Sequence, residues 1–108
     1  MEKERKASLI LSAEIRLAVF KIKKEAFNFP AQLQAISEDR AILELFHGPT
    51  LAFKDFGARF MSRIMGHFLQ QENREINILV ATSGDTGSAV AQGFFNVPGI
   101  KVTILYPK

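Results

Sequence analysis

Residues 43–60 read LELFHGPTLAFKDFGARF and contain the change from a strand pattern to a helix pattern on which the predicted fold depends. A strand-like apolar run ends at Phe46, a turn follows over residues 47–50, and a helical pattern starts near Phe53. Lys54 stands at this boundary with mostly apolar neighbours on both sides. An amine among apolar groups is harder to protonate, and a neutral amine can attack a carbonyl and form a Schiff base. A lysine that extends its stem along the surface is the more common alternative when the residues are read alone.

The turn and the start of the helix carry polar side chains that could act beside Lys54. Thr50 could position a substrate or the lysine through a hydrogen bond, and Asp55 could orient its neighbours or simply favour the helix N-terminus. His47 could serve as an acid or a base, although a single histidine in a turn is more often structural.

The helix after Lys54 shows a broad apolar face, which predicts burial on more than one side. Arg59 and Arg63 lie off this face, where they would be solvated or could meet a phosphate. The side chains of the face, all predicted to belong to the core or to need cover, are Phe53, Phe56, Phe60, Met61, Ile64, Met65, Phe68 and Leu69.

Further along the chain, the pattern predicts a strand over residues 76–82, a helix over residues 88–95 and a second strand over residues 100–106. Strand–helix–strand spacing of this kind predicts a parallel pair with a right-handed crossover. The nearly continuous apolar run from Ile78 predicts a central strand in a covered sheet. The fold class is therefore α/β.

Before residues 43–60, the chain predicts less regular structure. Residues 1–12 are charged at the start and are expected to be poorly ordered, with one domain over residues 13–108. Ser12 can cap a helix that ends before Pro30. We expect residues 31–40 to form a connection and residues 41–46 to form a short strand.

A second candidate site is the loop Ser83–Gly87 between the predicted strand and helix. Its small residues leave backbone N–H groups exposed at a helix N-terminus, which can hold an anion. Gly84 and Gly87 permit a close approach of a ligand. A plain N-cap made by Ser83, Asp85 or Thr86 is the alternative. A nucleotide loop is disfavoured, because neither Gly-x-Gly-x-x-Gly nor Gly-Lys-Ser/Thr is present.

Two blocks of sequence together resemble the threonine synthase family, which are pyridoxal-phosphate (PLP) enzymes of the tryptophan-synthase-β-like type. The first block is residues 46–60, FHGPTLAFKDFGARF, and the second is residues 81–89, ATSGDTGSA. The resemblance is dense over residues 41–108 and looser over residues 14–33, and the first dozen residues show no match. It implies a partial PLP fold type II domain with a parallel sheet.

The resemblance also implies an activity and a site. The family converts O-phospho-L-homoserine and water to L-threonine and phosphate. It implies that Lys54 is the catalytic residue and forms the Schiff base with PLP, and that Asp85 faces the cofactor ring. Related PLP enzymes often have Asn at the position of Asp85, and Asp is expected in the threonine synthase branch. The residues implied to bind substrate are Thr50, Ser83, Gly84, Thr86 and Gly87.

The resemblance leaves other functions open, because the chain has 108 residues and lacks the family's glycine-rich phosphate loop. We expect a truncated piece with little activity alone. One alternative is another PLP-dependent lyase, either a threonine dehydratase or a cysteine synthase-like enzyme. The other is a non-catalytic fragment or interaction module. The uncovered apolar face of the helix predicts possible self-association.

Composition excludes several other classes of protein. The net charge of +3 comes entirely from residues 1–25, which carry seven Lys/Arg and four Asp/Glu, so there is no basic groove for nucleic acid near the candidate site. With no cysteine and two distant histidines, no metal site is expected. No apolar run approaches the roughly 20 residues that a membrane span needs. These features favour a cytoplasmic protein whose partner is a small-molecule substrate.

Overall fold

The computed structural model describes residues 2–107, with residues 3–11 described as backbone alone. It contains three helices and four strands within this range. In chain order these are α1 (Glu2–Ala26), β1 (Gln32–Ala35), β2 (Ala41–Glu44), α2 (Lys54–Glu72), β3 (Ile76–Ala81), α3 (Asp85–Phe94) and β4 (Ile100–Leu105).

The second half of the chain forms the predicted strand–helix–strand unit. β3 and β4 pair in parallel, with Ile76 opposite Ile100 and Ala81 opposite Leu105. The crossover is α3, which contacts both strands. This confirms the α/β class and the parallel pair, and α3 begins at Asp85, earlier than the predicted residue 88.

The helices are stacked on this sheet in reverse chain order. α3 lies on the sheet, α2 packs against α3, and α1 packs against α2. The apolar residues buried between these layers are Ile22, Ala26, Ala58, Leu69, Ala89, Val90 and Phe94. The core of the chain is therefore small, and it is centred on the contact between α2 and α3.

The face of α2 that is buried differs from the predicted one. The helix buries Ala58, Ser62 and Gly66, which recur every four residues along one side. Phe53 and Phe68 on the large apolar face are instead 64% and 56% exposed. The reason is the close approach of α3, which only small side chains allow. Phe53 and Phe68 therefore lie outside the core of the described residues, and the expectation that this face needs cover stays a prediction.

Residues 31–40, predicted to be a connection, contain a strand. β1 pairs antiparallel with β2, so that Leu33 lies opposite Leu43. The tip is closed by a hydrogen bond from the N–H of Ile36 to the carbonyl of Arg40 at 2.9 Å. Almost every residue of this hairpin is exposed, so its sequence carries no alternation of buried and exposed positions.

Two other predictions differ from the structure. β3 has one partner in the described chain and exposes alternate residues, with Leu79 69% exposed, so the predicted cover of this strand is not seen. α1 begins at Glu2 rather than after Ser12. Poor order over residues 1–12 stays a prediction, and Met1 itself lies outside the described residues.

No helix within residues 2–107 is both long and apolar enough to cross a membrane.

Candidate active site around Lys54

A tight turn leads the chain into α2 just before Lys54. The N–H of Leu51 donates to the carbonyl of Gly48 at 3.1 Å, and the N–H of Asp55 donates to the carbonyl of Ala52 at 3.0 Å. Leu51 has a φ of 61°, in the left-handed region that residues with a Cβ rarely adopt. The backbone is therefore held in an unfavourable conformation three residues before Lys54.

Asp55 fixes this turn from inside. Its side chain is fully buried. One carboxylate oxygen accepts the backbone N–H of Thr50 at 2.8 Å, and the other accepts the Thr50 hydroxyl at 2.6 Å. Gly48 lies against the same carboxylate so closely that a Cβ at this position would overlap with it. A side chain at Gly48 would therefore push the carboxylate away from Thr50.

Lys54 is the first residue of α2 and is half-buried. Its Nζ lies 5.6 Å from the centre of the Phe53 ring. Among the described residues it has no hydrogen-bond or ion-pair partner. The amine is therefore held next to a rigid turn without being neutralised by a carboxylate, as a lysine that must react with a carbonyl requires.

His47 lies on the other side of the turn and is bound to a carboxylate. Its Nε2 is 2.7 Å from Oε2 of Glu44, and both side chains are about a quarter exposed. The imidazole also contacts the ring of Phe46, with 4.6 Å between the ring centres. These contacts join the end of β2 to the turn, so they favour the structural interpretation of His47.

The loop at the N-terminus of α3 is exposed, and no side chain caps it. Gly84 is the N-cap residue, so the alternative of a plain N-cap made by the side chain of Ser83, Asp85 or Thr86 is not seen. These three side chains and Gly84 are exposed. The Thr82 hydroxyl accepts the N–H of Gly84 at 3.2 Å, but no described side chain caps the first turn of the helix, so N–H groups there can receive an anion.

Gly87 differs from the rest of the loop because it is buried. A Cβ at Gly87 would lie 3.2 Å from Cγ2 of Ile104 and 3.4 Å from Oη of Tyr106, and closer still to Thr82. Its N–H donates to the carbonyl of Gly84 at 3.0 Å. Gly87 therefore presses the first turn of α3 against the carboxyl ends of β3 and β4, and positions the loop by packing.

The two candidate segments are connected through the scaffold. No hydrogen bond or ion pair of the described residues joins Lys54 to residues 83–87. The link is the packing of α2 on α3, where the Ser62 hydroxyl donates to the carbonyl of Gly93 at 2.6 Å. Ser62 was not singled out from the sequence, although the spacing of Ala58, Ser62 and Gly66 could have indicated this contact.

Arg59 is the largest departure from the sequence analysis, since it is 6% exposed rather than solvated. Its Nε donates to the carbonyl of Ala26 at 2.8 Å, and its other nitrogens donate to the carbonyl of Glu25 and the side chains of Asn28 and Gln92. The cation thus closes the carboxyl end of α1. Since its donors face protein acceptors, Arg59 is not placed to meet a phosphate.

Arg63 is half-buried beside Arg59. Burial lowers the pKa of Arg63, the charge of Arg59 lowers it further, and Glu25 opposes both effects. One Arg63 nitrogen donates to the carbonyls of Arg59 and Gly93 at 3.1 Å. Both arginines therefore serve the contacts among the helices.

The remaining cavities lie away from Lys54. An open groove of about 600 Å³ runs between α1, α2 and the turn after α3, and its lining includes Lys21, Arg63 and His67. None of the predicted site residues lines it. No group of three His, Asp or Glu side chains in the described part of the chain could hold a metal ion.

Solved structures identify the class to which this arrangement belongs, although no family model matches the chain. The PLP-bound threonine synthase of Brucella melitensis matches 85% of this chain with a TM-score of 0.80 and 35% identity, over 21% of its own length. The threonine synthase of Escherichia coli matches 82% with a TM-score of 0.69 and 51% identity, over 20% of its length. The chain has part of the fold of PLP-dependent enzymes of fold type II.

Curated threonine synthases are similar in sequence as well: that of Escherichia coli is 53% identical over 85 residues, and that of Serratia marcescens is 46% identical over 108 residues. The chain is homologous to a segment of the threonine synthases. The two matches cover 79% and 95% of this chain. They cover 19% and 25% of the relatives, so the chain spans a quarter of their length at most.

Proposed function

We propose that this chain supplies the lysine-bearing part of a PLP-dependent threonine synthase, which converts O-phospho-L-homoserine and water to L-threonine and phosphate. The observation that carries the proposal is Lys54, a half-buried amine without a hydrogen-bond or ion-pair partner among the described residues. It lies beside a rigid turn, in a chain 53% identical to a threonine synthase. Chain identity at this level favours this reaction over those of other PLP lyases.

The residues present fit the proposed cofactor. Lys54 offers an amine for the cofactor aldehyde, and the uncapped, exposed N-terminus of α3 offers N–H donors for an anionic group. When bound, PLP supplies an electron-withdrawing ring that stabilises negative charge at the substrate Cα. Asp85, exposed in the first turn of α3, is proposed to face that ring.

Lys54 has two tasks in this proposal. Its amine holds the cofactor aldehyde before the substrate arrives, and after release it carries a proton to and from the substrate Cα and Cβ. The rigid turn limits the volume in which the amine moves, which lowers the entropy cost of reaching the reacting atoms.

The loop at α3 is proposed to bind the substrate carboxylate. The hydroxyls of Ser83 and Thr86 are exposed and can donate to it, and Gly84 leaves open space for its approach, since a Cβ there would meet nothing within 4 Å. Gly87 contributes by packing the turn in place. The Thr50 hydroxyl donates its proton to Asp55, so its oxygen keeps lone pairs that can accept a hydrogen bond from the substrate.

Cofactor attachment is tested on the purified 108-residue chain. PLP is titrated in, borohydride fixes any imine, and peptide mass spectrometry locates it. We expect saturable labelling at Lys54, its loss in Lys54→Ala, and no change in Lys101→Ala, whose lysine is exposed on β4. Diffuse labelling that is equal in Lys54→Ala would overturn the assignment.

The reaction itself is tested in a chimera, because the chain spans only part of its relatives. The matching segment of the Escherichia coli threonine synthase is replaced by the residues of this chain. We expect threonine formation from O-phospho-L-homoserine by the chimera and none by its Lys54→Ala variant. We expect little threonine from the 108-residue chain alone, and robust formation by it would refute that expectation.

We also propose a cytoplasmic location, which cell fractionation tests.

A further inference from the structure

Asp55 is a buried acid that the proposed reaction does not use. It follows Lys54 directly and is fully buried in the first turn of α2. Removing a carboxylate from water is costly unless its oxygens accept hydrogen bonds. Both hydrogen bonds that it accepts come from one residue, Thr50, through the backbone N–H and the hydroxyl. Such a paired contact fixes a distance and an orientation at once.

The contact spans the strained part of the turn. Leu51 lies between Thr50 and Asp55, and its side chain is 73% exposed, so little packing of its own holds its left-handed backbone. Residues in such conformations persist where their surroundings fix them. The hydrogen bonds of Thr50 and the close contact of Gly48 both connect the chain before Leu51 to Asp55, which lies after it. These contacts restrain the backbone on the two sides of Leu51.

We propose that Asp55 and Thr50, here called the bracket, are positioning residues that set the direction in which Lys54 presents its amine. In an α-helix, successive side chains diverge by about 100° around the axis. With Asp55 pinned to the interior, Lys54 is directed to the half-buried edge beside Phe53 rather than into the core. This inference rests on the proposed function, because the bracket is proposed to position the lysine that binds PLP.

Two substitutions separate positioning from simple folding. Asp55→Asn keeps the shape and can keep two contacts, because its oxygen accepts the Thr50 N–H and its NH₂ group can donate to the Thr50 hydroxyl; it removes the charge that strengthens both hydrogen bonds. Thr50→Val keeps the backbone N–H and removes only the hydroxyl. Thr50→Ser keeps both donors and is the conservative variant that should rescue. Asp39→Asn is the matched control, since Asp39 is 77% exposed in the β1–β2 turn.

The first readout is the ratio of PLP labelling at Lys54 to that at Lys101 in the purified chain, after borohydride reduction. We expect Asp55→Asn and Thr50→Val to lower this ratio about tenfold, the size of one charge-assisted hydrogen bond. Thr50→Ser and Asp39→Asn should keep it. Circular dichroism and the melting temperature of each variant show whether it is folded. If Asp55→Asn does not fold, Thr50→Val decides.

The second readout needs no PLP. Hydrogen exchange followed by mass spectrometry should quicken in the peptide over residues 48–54 of Asp55→Asn and Thr50→Val, and should stay unchanged over β3. Unchanged exchange in both peptides would overturn the bracket.

The outcomes distinguish the two proposals. If the parent chain labels Lys54 no more than Lys101, the proposed function fails and the inference falls with it. If the parent is selective and both variants remain equally selective, the inference alone is overturned. Selectivity lost in both variants and restored in Thr50→Ser supports the bracket.

Discussion

The hydroxyl of Ser62 donates to the carbonyl of Gly93 at 2.6 Å, and the same oxygen lies 2.9 Å from the carbonyl of Arg59. Ser62 is fully buried, so this contact lies at the centre of the packing between α2 and α3. A Cβ at Gly93 would meet the backbone and Cβ of Ala58 at 3.0 Å. Since α2 carries Lys54 and α3 carries the anion loop, this close contact sets the relation between the two parts of the candidate site.

Gly93→Ala should therefore destabilise the chain. We expect a loss of about 1–3 kcal/mol in the free energy of unfolding, because an added methyl group in a packed contact forces the helices apart. Urea denaturation followed by circular dichroism measures it. Gly57→Ala is the control in α2, where a Cβ would meet nothing within 4 Å. It should stabilise by about 0.5–1 kcal/mol through helix propensity. An equal effect of both substitutions would contradict the close-packing argument.

Arg59 gives a second prediction, concerning the docking of α1. Arg59→Met should lower the free energy of unfolding by about 2–4 kcal/mol, because the buried carbonyl of Ala26 and the partly buried contact at the carbonyl of Glu25 lose their donor. Urea denaturation measures the loss, and faster hydrogen exchange in residues 17–26 would locate it at α1. Arg40→Met, at a residue 78% exposed in the hairpin, should change stability by less than about 0.5 kcal/mol. If the two substitutions cost the same, Arg59 does not hold α1.

The parts of the fold that the sequence predicts are those with a local signal. The change of hydrophobic period predicts the start of α2 near Phe53, one residue before the observed start at Lys54. The apolar runs on both sides of the predicted helix over residues 88–95 predict that β3 and β4 are parallel, as observed. The hairpin was missed because a strand exposed on both faces carries no alternation. Its partner strand was recognised only because residues 41–46 are mostly apolar.

The contacts that the sequence did not predict either join residues far apart in the chain or depend on an unusual backbone conformation. Arg59 and its acceptor Ala26 are separated by 33 residues, so nothing near Arg59 in the sequence indicates burial. Thr50 and Asp55 were each identified as candidates from the sequence. Their hydrogen bonds depend on the left-handed backbone of Leu51, and the leucine side chain gives no indication of that conformation. The site residues were thus predictable individually, and their mutual support was not.

Leu51 gives a third prediction. Leu51→Gly should stabilise the chain by up to about 1 kcal/mol, because glycine adopts a positive φ without the steric cost that a Cβ brings, although it has more entropy to lose on folding. Leu33→Gly is the control: this leucine is 69% exposed in β1, and the substitution should cost about 0.5–1 kcal/mol. Thermal melts show whether the two substitutions change the melting temperature in opposite directions. A loss of stability in Leu51→Gly would show that the leucine side chain packs against the protein.

The exposed apolar face of α2 gives the last prediction, that the isolated chain self-associates through it. Met61 and Phe68 on this helix and Phe53 at its N-cap are between 48% and 64% exposed. Burying one such side chain in a contact between copies contributes about 1.5–3 kcal/mol, so Phe68→Lys should weaken association about tenfold or more. Sedimentation velocity over a range of concentrations measures it, with Gln70→Lys as a control that adds the same charge at an already polar, exposed position. Equal weakening by both variants would mean that charge repulsion is responsible, and no weakening by Phe68→Lys would place the contact on another surface.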